Sequence, residues 1–336
     1  MKIAIHSTSW GFSRDWIGYC ERKGIQYKIV NCYDSNIIEQ IADCEALMWN
    51  YHHTLAKDAL FAKQLLFAVN QSGKRTFPDI NSGWHFDDKV GQKYLLESIG
   101  APIAQTWVFY DKKEALDWIE NTDFPKVFKL RGGAGSSNVK LIQNHAQAVR
   151  FVKRAFGRGF PSYDKIEDLK ENVRRFDWSK NSQIALGKSV RRLYMSTRFA
   201  RIIGSQKGYA LFQEFAPNNE YDIRVITIGD RAFAIKRMVR SNDFRASGSG
   251  NILYDKNEID ERCVKIALET TEKLKALCIA YDFVFNKDNE PLIVEINYGF
   301  DHKAYFPCPG YWDQKLEWHE GRFNSAEWIV ELLIRK

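Results

Sequence analysis

The sequence predicts an α/β protein (α+β overall), with a parallel α/β layer first and paired antiparallel strands toward the end. Two patterns carry this prediction. Across residues 1–85, short apolar runs at 2–6, 25–31 and 46–49 alternate with helical periodicity at about 14–23 and 56–71. Near the other end, apolar runs at 281–285 and 291–296 flank a turn-forming stretch at 286–290, which is hairpin spacing.

The elements between follow from local signals. Gly24 closes the first helix, and Gly100 closes an amphipathic helix over 88–100. A strand at 105–110, a helix at 111–120 and a strand at 125–130 come next. The last of these runs into Arg131-Gly132-Gly133-Ala134-Gly135-Ser136-Ser137-Asn138, and 139–142 returns as its partner. Beyond 160 the periodicity fades. It recovers as strands at 210–215, 222–228 and 232–239, a long helix at 257–278 and a closing helix at 324–335. The expected division is an N-terminal α/β domain (1–88), a central subdomain (89–208) and a C-terminal subdomain (209–336).

Composition narrows the class of protein. In 336 residues, 45% are hydrophobic and 14% aromatic, enough to build a core and to exclude disorder. No apolar run reaches the roughly 18–20 residues needed to cross a bilayer, and the first residues lack a signal-peptide pattern. Six cysteines without a CxxC pair read as reduced thiols, so a cytoplasmic protein is expected. The net charge of +7 is local: residues 150–207 hold 15 Lys+Arg against 5 Asp+Glu, and the remainder 34 against 37. That stretch is either a solvated helical face or a dock for an acidic polymer or partner. No nucleic-acid motif accompanies it.

Four groups of residues suggest chemistry. Ligands of parallel layers bind at the carboxyl ends of the strands, where His6, Ser7, Tyr51, His52 and His53 fall. The Gly-rich loop after Lys129 offers backbone N–H groups and a cation to phosphate, although it matches neither a P-loop nor a Rossmann turn. Asp282, Glu295 and Asn297 on paired strands are hard oxygen donors suited to Mg²⁺. Alternation in Ile293-Val294-Glu295-Ile296 points Glu295 inward, where it needs a metal or a buried ion pair. Leu211-Phe212-Gln213-Glu214-Phe215 is a strand whose exit can hold adenine, with Glu220 or Asp222 in reach of ribose hydroxyls. Lys236, Arg237 and Asp243-Phe244-Arg245 add cations for a transferred phosphoryl group.

In this order, the pieces resemble the ATP-grasp superfamily: Lys89 opening a helix, Phe-Pro-Lys-Val-Phe-Lys129, the Gly/Ser loop, Gln213-Glu214-Phe215, Asp222-Ile223-Arg224, Asp243-Phe244-Arg245, Asp282 and Glu295-Ile296-Asn297. The resemblance spans roughly 85–150 and 209–300. It is closest to the branch containing the ribosomal-protein glutamate ligases and more distant from D-alanine–D-alanine ligases. It implies an ATP-grasp fold with a central lid and a C-terminal antiparallel catalytic subdomain. The implied activity is an ATP- and Mg²⁺-dependent carboxylate–amine ligase working through an acyl phosphate and releasing ADP and phosphate.

The resemblance also implies roles. Lys89 and Lys129 would hold the ATP phosphates under a loop containing Gly132, Gly133, Gly135, Ser136 and Ser137. Gln213, Glu214 and Phe215 would surround adenine, with Glu220 or Asp222 on the ribose. Asp282, Glu295 and Asn297 would hold two Mg²⁺ ions (Mn²⁺ being an alternative), and Arg224, Arg245 and Lys236 would stabilise the reacting acyl group. The implied substrates are small-molecule, peptide or saccharide acids and amines, and a homo-oligomer is compatible. Alternatives are a phosphotransferase and a non-catalytic nucleotide-binding protein. The sequence departs from the family at Tyr298-Gly299-Phe300-Asp301-His302, in the aromatic-rich stretch 305–318, at Arg245-Ala246-Ser247 and in the long basic stretch 150–208.

Overall fold

A computed structural model describes residues 1–132, 138–161, 169–170, 172–173, 176–194, 198–239 and 250–335. The N-terminal layer contains β1 (Lys2–His6), β2 (Gln26–Val30), β3 (Ala46–Met48) and β4 (Arg75–Phe77), all parallel in the order β2-β1-β3-β4. The helices Ser13–Lys23 and Ala56–Gln71 connect them. Gly24 stops the first helix with φ 64° and donates back to the carbonyls of Cys20 and Glu21.

The central part contains β5 (Thr106–Phe109), β6 (Lys126–Lys129), β7 (Val139–Ile142), the short pair β8 (Phe160–Pro161) and β9 (Ser205–Gln206), and β10 (Ala210–Glu214). Its antiparallel sheet runs β5-β10-β6-β7. The expected boundary at 208/209 therefore falls just before a strand that completes the central sheet. Helices Lys112–Glu120 and His145–Ala155 cover this sheet, with Ala115, Ile119, Phe128, Val152 and Phe212 in the core between them.

The C-terminal sheet contains β11 (Tyr221–Ile228), β12 (Arg231–Met238), β13 (Ile252–Leu253), β14 (Cys278–Phe285), β15 (Pro291–Asn297), β16 (Gly310–Asp313) and β17 (Trp318–Glu320). Its order is β15-β14-β11-β12-β16-β17, with β13 on β12. Alternation divides its side chains between two cores. Val225, Ile279, Tyr281 and Phe283 pack beneath helix Glu261–Leu274, whereas Ile226, Phe233, Ile235 and Cys278 join the N-terminal layer through Phe12, Phe77 and Tyr298. Helix Ser325–Arg335 packs on Ser13–Lys23, where Tyr19 donates to Glu331 at 3.1 Å.

Several expectations change. The helix expected over 257–278 is a 3-10 turn Lys256–Glu258 followed by the helix Glu261–Leu274, and Cys278 already opens β14. Asp260 caps that helix by accepting from Arg262 N–H, and Lys275 ends it at φ 53°. The apolar run 276–279 continues the helical spacing but leads into the buried strand β14. The basic stretch contains helices Lys180–Tyr194 and Arg198–Ile203, the latter against Ala56–Gln71. All six cysteines are buried and free, and no described helix is long and apolar enough to cross a membrane.

The loop 7–13 supplies a test of this packing. Gly11 sits at φ 71°, and a Cβ there would lie 2.0 Å from Asn50 Oδ1, the oxygen that accepts from Phe12 N–H at 3.3 Å. Gly11→Ala therefore destabilises by about 1–3 kcal/mol, read as a lower denaturant midpoint; an unchanged midpoint contradicts the loop geometry.

Candidate active site

Register sets the centre of the site. Arg224 on β11 lies opposite Asp282 on β14, Asp282 opposite Glu295 on β15, and Ala280 opposite Asn297. Directly opposed residues share a sheet face, so Asp282, Glu295 and Asn297 emerge together. The Arg224 fork grips Asp282, with Nη2 donating to Oδ2 at 2.6 Å and Nε to Oδ1. Arg237 on β12 donates to both oxygens of Asp222 at 2.6 Å, and its Nη2 also reaches Asp282 Oδ1 at 3.0 Å. Burial works against the Asp282 charge, but Arg224 and Arg237 outweigh it and hold the carboxyl far below the usual carboxylate range. Tyr305, a missed neighbour in the aromatic stretch, has its hydroxyl against Arg224; burial pushes it up to about 12.

Two lysines approach from the other parts of the chain. Asp88 caps helix Lys89–Ser98 by accepting from Gly91 N–H at 3.0 Å, which fixes Lys89 in its first turn. Lys89 Nζ donates to Glu295 Oε1 at 3.1 Å. Lys129, at the end of β6, donates to the Val294 carbonyl at 3.2 Å. Burial, with Lys89 adding to it and Glu295 opposing, pushes Lys129 down to about 8. Both lysines and Glu295 line one pocket with Thr106, Leu211 and Gln213, and Leu96, Ile103 and Ile293 supply its apolar wall. Gln213 donates to Thr106 Oγ1 at 3.0 Å. Glu214 at the end of β10 pairs with Lys126 at 2.8 Å, and Phe215 beyond it is half-buried.

The base of the Gly-rich loop is moored beside Lys89. Gly132 N–H donates to Gln206 Oε1 at 3.1 Å, and the Gly132 carbonyl accepts from Asn138 at 2.9 Å. Arg131 pairs with Asp88 at 2.6 Å, and its carbonyl accepts from Lys89 N–H at 2.9 Å. Gly133, Gly135, Ser136, Ser137 and Arg245 lie outside the described residues.

Four sequence expectations need correction. Lys236 lies opposite Ile223, on the helix-covered face of the sheet, where it pairs with Glu258 at 2.7 Å over the Tyr221 ring. Its neighbour Arg237 takes the site-facing position, as strand parity requires. Asp222 has both oxygens held by Arg237, whereas Glu220 is exposed just before β11. His6 is a satisfied core histidine: its Nδ1 accepts from Cys32 N–H at 3.0 Å, among Tyr33 and Trp49. Tyr51 is likewise structural, buried with its hydroxyl donating to the Gly83 carbonyl at 2.8 Å.

His52 and His53 remain at the site, stacked with ring centroids 4.3 Å apart. Burial pushes each down to about 4, and the Lys89 charge adds to this at His53 while Glu295 opposes it. Ser7 is exposed at the end of β1. Asn297 is on the predicted face, but its Oδ1 accepts from Gly299 N–H at 2.8 Å. Thr106 and Gln92, which accepts from Ile296 N–H at 3.3 Å, were not foreseen. Gln92 follows Lys89 by three residues on the same helix face, a signal that could have found it.

This arrangement, a hairpin lid facing an antiparallel sheet with lysines and carboxylates between them, is the ATP-grasp fold. Residues 163–305 match the model of the RimK-like ATP-grasp domain, so this stretch of the chain is similar to that branch of the ATP-grasp superfamily. The chain is 20% identical over 231 residues to the alpha-aminoadipate–LysW ligase LysX of Saccharolobus solfataricus, covering 69% of this chain and 68% of that protein. The biotin carboxylase domain of Hydrogenobacter thermophilus 2-oxoglutarate carboxylase, solved with MgADP, superposes with a TM-score of 0.61 at 13% identity, over 100% of this chain and 70% of that one. The ATP complex of Bacillus anthracis D-alanine–D-alanine ligase gives 0.56 at 13% identity, over 100% and 97%.

Proposed function

We propose that the protein is an ATP- and Mg²⁺-dependent carboxylate–amine ligase that forms an amide bond and releases ADP and phosphate. The observation that carries this reading is the convergence of Lys89, Lys129, Arg224 and Arg237 on Asp282 and Glu295 beside one pocket. A carboxylate oxygen attacks the γ-phosphorus of ATP, ADP leaves, and an acyl phosphate remains. The amine nitrogen then attacks the acyl carbon, phosphate leaves with its bonding pair, and the nitrogen gives up a proton. No protein nucleophile is needed in either step.

The chain's own groups solve the problem of bringing anions together. Lys89 and Lys129 take the phosphates, with Gly132 at the base of the closing loop. Gln213, Glu214 and Phe215 surround adenine against the apolar wall, and Glu220 reaches the ribose. Arg224 meets the developing negative charge on the acyl group, a task it shares with Arg245. Asp282, Glu295 and Asn297 form an oxygen donor set on one sheet face that fits Mg²⁺, which when bound neutralises phosphate charge and holds the transferred group in line. His52 and His53 border the place of the acid or amine. The basic stretch 150–208 guides an acidic substrate, and 1–88, 89–208 and 209–336 serve as substrate layer, lid and catalytic base.

The test is product analysis. Incubation with ATP, Mg²⁺ and panels of acids, with and without amines, gives ADP and free phosphate in an amine-dependent way. AMP as product contradicts the acyl-phosphate route; ADP with phosphate retained on the organic product identifies a phosphotransferase.

A further inference from the structure

Both carboxylates expected to bind metal already have cationic partners. Asp282 accepts three N–H bonds, two from Arg224 and one from Arg237, and Glu295 accepts from Lys89. Four cationic side chains, Lys89, Lys129, Arg224 and Arg237, stand against three carboxylates, Asp222, Asp282 and Glu295. The nucleotide-free centre therefore favours an anion over a divalent cation.

We infer that Arg237 is a positioning residue that guards the metal site: bridging Asp222 and Asp282, it bars a divalent cation from Asp282 until polyphosphate arrives. The inference rests on reading Asp282 and Glu295 as metal ligands. Three N–H bonds leave Asp282 one further lone pair, on Oδ2. A bare cation could use it only against two adjacent positive charges, whereas one travelling with phosphate oxygens brings the neutralising charge with it.

The anchor of this guard is Asp222. It opposes Arg237 in the β11–β12 register and holds both its Nε and its Nη2 at 2.6 Å. Arg237 thus stays in place when Asp282 turns to a metal, and returns to it when the metal leaves. Metal and nucleotide become coupled ligands, each raising the affinity for the other. The pair Asp222–Arg237 is consequently a device for binding order, apart from any contact with ATP.

The probe is Mn²⁺, followed by the electron paramagnetic resonance of the free ion during titration of the full chain, alone and with ADP. The native protein is expected to bind Mn²⁺ weakly alone and at least about tenfold more tightly with ADP. Arg237→Gln tightens nucleotide-free Mn²⁺ binding by about tenfold or more. The double variant Arg237→Gln with Asp222→Asn leaves net charge unchanged and no buried unpaired carboxylate, and it keeps most of that gain. Circular dichroism melts verify that each variant is folded. Nucleotide-free Mn²⁺ affinity that is equal in native protein and folded variants overturns the guard, as does tight binding by the native protein alone. A native protein that binds no Mn²⁺ even with ADP overturns the metal-ligand reading itself, an outcome visible before any variant is made.

Discussion

Glu295→Gln lowers turnover by about a thousandfold or more, with nucleotide binding largely retained. The substitution preserves volume and one oxygen but removes the charge that opposes Lys89 at 3.1 Å and stands in register with Asp282. Loss of that charge weakens any cation held between the two strands and also alters the setting of Lys89. Metal-free ADP affinity, measured by calorimetry, should stay within about tenfold or tighten, because Lys89 then has one fewer anion competing with phosphate. Amine-dependent ADP release near the native rate removes Glu295 from the reaction centre.

Lys129→Met is expected to stabilise the nucleotide-free protein while crippling its use of ATP. Lys129 is buried and pushed down from its ordinary 10.5 to about 8, chiefly by burial. Below pH 8 the lysine is charged in both folded and unfolded chains, and keeping that charge buried costs about 3 kcal/mol. Between pH 8 and 10.5 the unfolded chain binds the proton that the folded one has lost, so native stability rises with pH across that window. The variant lacks this dependence. It melts higher than the native protein at pH 7, and the gap narrows toward pH 10. ATP affinity falls by about 10–100-fold, since a charge-assisted contact to phosphate is gone. A variant that melts lower at pH 7 contradicts the burial cost assigned to Lys129.

What could be read from the sequence depended on range and periodicity. Local patterns were informative in the N-terminal alternation and in the hairpin of β14 and β15, whereas a register shift after Asp282 breaks the alternation that pointed Glu295 inward and leaves Ile293 and Ile296 in the core, with Glu295 on the face of Asp282. Parity could have separated Lys236 from Arg237, but only with the register of β11 and β12 known. His6 and His52 look alike as residues at strand ends; Cys32 N–H, brought up by β2, satisfies His6. β4 is three residues long, too short to show a period. Helix Lys180–Tyr194 buries little of its apolar surface: among its described side chains Ser189 is the buried one. The place of β10 between β5 and β6 is a long-range pairing that no local spacing encodes.

That last feature bears on how the chain reaches its native state. In the central sheet, β5 has β10 as its strand neighbour, so Thr106–Phe109 waits for a partner made roughly a hundred residues later. Closing so large a loop makes formation of this sheet slow compared with the local hairpin of β6 and β7. The entropy of closure grows only with the logarithm of length, so the excursion between β8 and β9 can lengthen or shorten among related chains at small cost. Removal of residues within β10 leaves β5 and β6 without the strand between them. Chain length between β8 and β9 is therefore a cheap variable for closure, whereas residues 210–214 hold the central sheet together.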